Sequence, residues 1–266
     1  MSDLKKKLPE NPQKRRSILV VSSQDWDDMG SKPEHVKATV DLKRNEYVFV
    51  LSVPCALDDS ITVDLERRGL LNPGTLLVQN PFDPDHYEEV TNANAAFGLD
   101  KVLKFRHFCQ MLGAKEFLIE KVEMLTTDGK LLASCGVRVP GITTVGASVE
   151  HRELEKISSK LKLHDTYRPT TDSQVSLKPD ISKAEQYAVQ RRLLGDRHVL
   201  DLLESAKCDF SQIDKREVIL TLSSESRSNL KVALNVSVPF YADIKSQLER
   251  IRSEQYEFNL HINLRF

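Results

Sequence analysis

The stretch from Asn94 to Val139 decides the fold, and it reads NAAFGLDKVLKFRHFCQMLGAKEFLIEKVEMLTTDGKLLASCGVRV. Its first half predicts an amphipathic helix, because apolar residues recur close to helical spacing. These residues are Leu99, Val102, Leu103, Phe105, Phe108, Cys109 and Leu112. Gly113 follows at the position that a C-capping glycine takes. The sequence therefore predicts one helix over residues 94–112 that ends at Gly113.

The second half of this stretch predicts a β-hairpin. Residues 116–125 form a β-rich run, and residues 126–129 read Thr-Thr-Asp-Gly. Asp-Gly between two such runs is a strong signal for a hairpin turn. Residues 130–139 then run back along the first strand. This helix, strand, turn and strand form the best-specified unit of the chain.

The residues before this unit predict short strands joined by loops. Residues 17–22, 36–43, 46–53 and 75–79 are β-like, whereas residues 61–71 fit a strand or a short helix equally well. Two acidic or proline-punctuated segments, residues 24–30 and 80–86, are predicted as loops.

The residues after the unit predict a second helix and two long strands. Residues 182–206 form the helix, which opens on a capping box at residues 182–185 and is interrupted near Gly195. Residues 230–240 and 256–266 alternate apolar and polar side chains, which is typical of strands with one buried face. Residues 145–163 fit a polar strand or a helix, and residues 169–179 predict a loop.

These elements predict an α+β protein with a mainly antiparallel sheet of long strands and two principal amphipathic helices packed on one face. Residues 1–16 carry two basic clusters around prolines and predict a disordered basic tail. Residues 17–266 are predicted to form a single α+β domain, with a subdivision near residues 80–93 as the alternative.

Composition limits the function classes. The chain has 266 residues, of which 40% are hydrophobic and 29% charged, and its formal net charge is -1. This balance gives no global electrostatic reason to bind nucleic acid. Four cysteines at wide spacing (Cys55, Cys109, Cys135 and Cys208) suit buried, reduced thiols. The chain shows no secretory signal and no apolar run long enough to cross a membrane, so we expect a cytoplasmic protein.

The segment from Asp83 to Glu89 is the candidate metal site. Asp83, Asp85 and His86, with Glu88 and Glu89 beside them, supply oxygen and nitrogen ligands of the kind that metal ions use. The acidic residues are also good turn formers, so a plain turn is the simpler interpretation. A looser triple of Glu34, Asp41 and Lys43 resembles the acid and lysine groups of metal-dependent nucleases.

The remaining chemistry favours structural roles. The chain has no nucleophile elbow, no paired-histidine zinc motif and no glycine-rich phosphate loop, and we expect no cofactor. Cys109 and His107 are two positions apart on one helix, so they cannot form a dyad by themselves. Four basic residues of this helix predict a solvated face opposite its apolar stripe. They are Lys101, Lys104, Arg106 and His107.

The leading hypothesis is a non-enzymatic cytoplasmic protein-interaction or scaffold subunit that binds a protein partner or associates with itself. Long half-exposed strands support it, because such strands can pair by edge addition. One alternative is a membrane-acting pore-forming effector, since the last strand alternates large apolar residues up to Phe266. The other is a metal-dependent hydrolase or nuclease that uses the segment from Asp83 to Glu89.

Overall fold

A computed structural model gives the structure of the chain. It describes residues 8–31, 40–42, 44–55, 57–126, 129–136, 164–166, 180–209, 214–221, 226–236, 241, 246, 248–249 and 256–266. The described helices are α1 Ser23–Ser31, α2 Ser60–Arg67, α3 Ala93–Met111, α4 Ile181–Gln190, α5 Arg197–Asp209 and α6 Ser226–Leu234. The described strands are β1 Ser17–Ser22, β2 Val48–Val53, β3 Leu76–Asn80, β4 Asp83–Glu89, β5 Glu116–Thr126, β6 Leu131–Gly136, β7 His164–Thr166, β8 Lys215–Thr221 and β9 Tyr256–Arg265.

The predicted fold class is confirmed, because helices and largely antiparallel strands share the chain. The chain divides into two compact units. Unit 1 comprises residues 1–96 and 225–255, and unit 2 comprises residues 97–224 and 256–266. The chain first passes from unit 1 to unit 2 between residues 96 and 97. This point lies shortly after residues 80–93, where the sequence predicted the alternative boundary.

Unit 1 contains a four-stranded sheet in the order β2-β1-β3-β4. The β1–β2 pair is parallel and the other two pairs are antiparallel. Both faces of β2 are largely buried. The core of this unit contains Leu8, Ile18, Val20, Phe49, Leu51, Ile61, Leu65, Leu77 and Tyr87.

Residues 8–16 differ from the predicted disordered tail. Leu8 is buried in the core of unit 1, and residues 12–15 form a short 3-10 helix. The side chain of Asn11 accepts a hydrogen bond from the backbone N–H of Gln13 and caps this helix. Arg15 is buried, because its guanidinium finds partners on β4. Residues 1–7 lie outside the described residues.

Unit 2 contains a five-stranded sheet in the order β6-β5-β9-β8, with β7 paired to the first residues of β5. The long antiparallel β5–β9 pair forms its centre. On β9, the apolar face predicted from alternation is confirmed, since Phe258, Leu260, Ile262 and Leu264 are buried. Helix α3 packs on this unit's core, and the ring centroids of Phe105 and Phe117 lie 6.2 Å apart.

Several of the predicted elements are wrong. Residues 24–30 form helix α1 instead of a loop, because the Ser22 hydroxyl accepts a hydrogen bond from the Asp25 N–H in its first turn. The predicted loop at 80–86 turns only at residues 81–82 and then becomes β4, an edge strand in which Pro84 is tolerated. The predicted strand at 230–240 is helical up to Leu234, while residues 237–240 lie outside the description.

Other predictions are resolved or adjusted by the structure. The ambiguous segment at 61–71 is helical, and Asp59 caps it by accepting from the N–H groups of Ile61 and Thr62. The second predicted helix is broken into α4 and α5 near Gly195, as expected, but Asp180 rather than Ser182 is its N-cap. Residues 40–42 are helical rather than extended, and residues 145–163 and 169–179 lie outside the described residues.

The predicted C-cap of α3 is confirmed at Gly113, which has φ +89°. Its N–H donates to Gln110 O at 3.0 Å, and the Ala114 N–H donates to Cys109 O at 3.0 Å. Residues with a Cβ atom are disfavoured in this left-handed conformation, whereas glycine adopts it freely.

We expect Gly113→Ala to lower the free energy of unfolding by roughly 1–2 kcal/mol, because the alanine must adopt the left-handed backbone. Urea unfolding followed by circular dichroism measures this change. Gly195→Ala is the matched control, since Gly195 has an ordinary φ and open space around its Cβ position. Equal losses for both variants would contradict the capping role of Gly113.

Candidate interaction surface

The β5–β6 hairpin is the element that the sequence predicted most clearly, and the structure confirms it. Residues pair from Lys121 with Gly136 to Met124 with Ala133, after which Leu125 pairs with Leu131. Leu132 is thereby the extra residue of a bulge. At the turn, Gly129 has φ +82° and donates its N–H to Thr126 O at 2.9 Å. Residues 127 and 128 lie outside the described residues.

Two adjacent leucines on β6 are exposed. Leu131 is 57% exposed and Leu132 is 41% exposed. Within the part of the chain that the structure describes, β6 pairs with β5 alone, so it is an edge of the unit 2 sheet. Large apolar side chains on a sheet edge are usual at protein interaction sites and are otherwise an aggregation risk. This surface, Leu131 and Leu132 on the edge strand β6, is called the β6 edge below.

Two of the other edge strands, β4 and β8, are charged, whereas the edge strand β2 is not. β4 contains Asp83, Asp85, His86, Glu88 and Glu89, and β8 contains Lys215, Arg216 and Glu217. Charged residues on an edge strand oppose pairing with another strand. The sequence of β6 is Leu-Leu-Ala-Ser-Cys-Gly and contains no charged residue. Among the described residues, β6 therefore has no charged side chain of its own to oppose strand addition.

An ion-pair cluster lies on β5 and β9 beside the β6 edge. Lys121 Nζ lies 2.5 Å from Glu123 Oε1, and His261 Nε2 lies 2.9 Å from Glu123 Oε2. Glu123 is only 18% exposed, and its cross-strand neighbour on β6 is Ser134. The hydrogen bond from Lys121, and then the adjacent His261, lower the pKa of the Glu123 carboxyl. The carboxylate is thus held in its charged form.

This lowered pKa predicts a pH-dependent stability. A carboxyl group whose pKa is lower in the folded than in the unfolded chain stabilises the fold at high pH and loses that contribution as pH falls through the folded-state pKa. We expect Glu123→Gln to cost less than about 1 kcal/mol at pH 7, since the pair is partly solvated. The difference from the wild type should shrink below about pH 4, the ordinary range of glutamate. Urea unfolding at several pH values tests this, and a difference that does not change with pH would contradict it.

The predicted metal ligands lie on β4 in unit 1, and other side chains already bind two of them. Asp85 Oδ1 accepts from Arg15 Nη2 at 2.6 Å, and His86 Nε2 lies 3.1 Å from Glu88 Oε1. Asp83 Oδ1 lies 3.4 Å from the backbone nitrogen of Asp85. Among the described residues, no group of three or more His, Cys, Asp or Glu side chains is placed to hold a metal ion. The metal site at Asp83, Asp85 and His86 stays a prediction.

Glu88 on this strand contacts both Arg68 and His86. Its Oε1 accepts from Arg68 Nη2 at 2.5 Å, and Arg68 Nη1 also donates to Tyr87 O at 2.7 Å. Burial alone raises the pKa of Glu88, but His86 and the Arg68 charge outweigh it, and the net shift is downward. These contacts attach α2 to β4.

Of the nuclease-like triple, Glu34 and Lys43 lie outside the described residues, and Asp41 is exposed.

The cysteines and the basic side of α3 also take structural positions. Cys109 is fully buried, as predicted, and burial raises the pKa of its thiol far above the ordinary range. Cys208 is exposed, so the prediction of a buried thiol is wrong there.

His107 stacks edge-on against Tyr187 with ring centroids 4.9 Å apart. The predicted solvated basic face is wrong at Lys101, which is 0% exposed, and at Lys104, which is 8% exposed.

Comparisons with known proteins give no relative for this chain. No protein-family model, no curated protein and no solved structure matches it. Among the described helices, none combines the length and the apolar character needed to cross a bilayer. The function must therefore be argued from the surfaces of the chain itself.

The sequence pointed to the strands as binding elements but did not single out β6. The available signal was a strand of six residues without any charge, placed directly after the hairpin turn with two leucines at its start. Alternation alone predicts that one of two adjacent leucines is buried. The register shift at Leu132 breaks this rule, and both side chains are exposed as a result.

Proposed function

We propose that this protein is a non-enzymatic, cytoplasmic protein-interaction or scaffold subunit, and that it binds its partner through the β6 edge. The exposure of Leu131 and Leu132 on an uncharged edge strand is the observation that carries the proposal. A partner strand can extend the sheet by forming backbone hydrogen bonds along β6, while the two leucines enter apolar pockets of the partner.

The energetics favour this mode of binding. Burial of apolar surface contributes roughly 25 cal/mol per Å², so covering two half-exposed leucines adds about 2–3 kcal/mol. This amount alone does not make a stable complex, because association costs several kcal/mol of lost freedom. Backbone pairing along the six residues of β6 supplies additional contacts and a fixed orientation.

Replacing both leucines by lysine should abolish partner binding. We expect the Leu131→Lys, Leu132→Lys variant to lose proteins that the wild-type chain captures from a lysate of its source cells, because edge lysines oppose strand addition and desolvation of their charges is costly. Quantitative mass spectrometry of the captured proteins measures the loss, which should be at least about tenfold, the equivalent of 1.4 kcal/mol.

Val189→Lys on α4 is the matched control for this experiment. Val189 is 57% exposed, the same fraction as Leu131, and it lies on a helix of the same unit. It adds one positive charge, against two in the double variant, at an exposed apolar position away from β6. Capture of the same proteins at the same level by the double-lysine variant would contradict the proposed function.

A further inference from the structure

We infer that the connection between α4 and α5 binds the phosphate backbone of a single-stranded nucleic acid. This site, called the arginine turn below, comprises Arg191, Arg192 and Arg197. All three residues are exposed, and all belong to unit 2. The inference goes beyond the proposed function, because it concerns a surface on helices rather than the β6 edge.

The backbone of Arg192 has a conformation that favours glycine. Its φ is +55° and its ψ is +33°, and among the described residues it is the one residue besides the glycines with a positive φ. It follows Arg191, the C-cap of α4, and donates its N–H to Val189 O at 3.1 Å. Gly113 makes the corresponding contact after α3. The chain thus keeps an arginine where glycine would be less strained, and such strain is typical of functional positions.

The charges of the arginine turn are not neutralised within the described part of the fold. Neither Arg192 nor Arg197 forms a salt bridge with a described residue. The acidic residue between them, Asp196, is buried, and its carboxylate lies 2.8 Å from Lys101 Nζ. Asp201 follows Arg197 by one helical turn of α5, but the two side chains form no ion pair. The exposed guanidinium groups therefore attract an anion locally, although the formal net charge of the chain is -1.

Aromatic rings beside the arginine turn favour a nucleic acid over an acidic peptide. The guanidinium carbon of Arg191 lies 5.9 Å from the centroid of the Tyr187 ring, and the ring of His107 contacts the same tyrosine. The planar guanidinium group forms paired hydrogen bonds with phosphate. Bases stack on guanidinium planes and on aromatic rings. A single strand can use both kinds of group, whereas a glutamate-rich peptide can use only the charges.

Fluorescence anisotropy of a labelled single-stranded RNA of about 15 nucleotides tests the inference. We expect the wild-type chain to bind it with a dissociation constant in the micromolar range, and the Arg192→Gln, Arg197→Gln variant to bind at least about tenfold more weakly. The slope of log K against log salt should become shallower by about 1.4, because each lost phosphate contact in a single strand contributes about 0.7.

The Lys130→Gln, Lys215→Gln variant is the matched control. It removes the same two positive charges from exposed positions of unit 2, one next to the β5–β6 turn and one on β8. We expect it to bind the RNA like the wild type. RNA affinity that falls equally in both double variants, a wild-type chain that does not bind at about 100 μM protein, or competition by polyglutamate as effective as that by unlabelled RNA would overturn the inference.

Glycine at position 192 separates binding from folding. We expect Arg192→Gly to raise the midpoint of urea unfolding, because glycine adopts the left-handed backbone freely, and to weaken RNA binding. A purely structural arginine would give a lower midpoint, and that result would also overturn the inference. None of these measurements involves Leu131 or Leu132, so the proposed function of the β6 edge is tested independently.

Discussion

Replacing Lys101 with methionine is expected to lower the free energy of unfolding by about 3–5 kcal/mol, the usual cost of removing one partner of a buried ion pair. Lys101 is 0% exposed, and its Nζ lies 2.8 Å from Asp196 Oδ2. It also donates to Thr221 O at 2.6 Å. The methionine fills a similar volume, but it leaves the carboxylate of Asp196, itself only 7% exposed, without its counter-charge.

The position of Asp196 explains why this pair is placed in the core of unit 2. Asp196 precedes α5 and accepts a hydrogen bond from the His198 N–H at 2.9 Å, so it also caps that helix. Lys101 on α3 therefore joins three elements: the start of α5, the end of β8 and its own helix. Loss of the lysine charge affects all three contacts together.

Two further variants separate this explanation from a general packing defect. The double variant Lys101→Met, Asp196→Asn should be more stable than Lys101→Met alone, because asparagine keeps the cap and removes the unpaired charge. Lys207→Met should cost below about 1 kcal/mol, since its pair with Glu185 is exposed on both sides. Urea unfolding measures the free energy of unfolding of the wild type and of the three variants. A double variant less stable than the single one would contradict the ion-pair explanation.

The confirmed part of the fold was predictable wherever local signals agreed with each other. α3, its cap at Gly113 and the β5–β6 hairpin each combine a periodic pattern with a specific terminator or turn residue. β9 carries ten residues of strict alternation, and its long pairing with β5 preserves this pattern in the structure. In these elements, local preference and tertiary packing favour the same conformation.

The error at residues 230–240 arose because one pattern fits two periodicities. Apolar residues at Leu230 and Leu234 alternate like a strand, but together with Ala233 they also lie on one face of a helix. The helical periodicity prevails, and Leu230, Ala233 and Leu234 are buried in α6. Asn229 contributes to this packing, because its Nδ2 donates to Gln79 O of the unit 1 sheet at 2.8 Å. Such a tertiary contact cannot be read from local alternation.

The candidate surface was only partly predictable for a related reason. The sequence predicts a neutral strand after the turn, but side-chain exposure depends on the register with β5 and on the bulge at Leu132. Lys101 shows the same limit, but here a residue predicted to be exposed is buried. It occupies a position that reads as the solvated side of an amphipathic helix, and its burial depends on Asp196, which is distant in sequence.

Replacing Arg15 with methionine is expected to lower the free energy of unfolding by about 2–3 kcal/mol, the range for buried hydrogen bonds made by a charged group. Arg15 is 4% exposed. Its Nη1 donates to Tyr87 Oη at 2.8 Å and to Pro84 O at 3.1 Å, and its Nη2 donates to Asp85 Oδ1 at 2.6 Å. One side chain thereby holds residues 8–16 against β4.

The expected loss is smaller than for Lys101, because the former partners of Arg15 keep other contacts. Tyr87 Oη still donates to Arg15 O at 2.8 Å, and Pro84 O still accepts from Gln79 Nε2 at 2.9 Å. Asp85 is 64% exposed, so its carboxylate can be hydrated when the guanidinium is removed. Replacement of Arg15 therefore leaves no buried charge behind, in contrast to Lys101→Met.

Asp85→Asn is the matched variant for Arg15→Met, and it also bears on the predicted metal site. We expect it to cost below about 1 kcal/mol, because the amide oxygen still accepts from Arg15 and the residue is largely solvated. Urea unfolding of both variants measures the contrast. If Asp85 binds a metal ion, a divalent cation should raise the wild-type unfolding midpoint but not that of Asp85→Asn. A loss from Asp85→Asn as large as that from Arg15→Met would contradict this expectation.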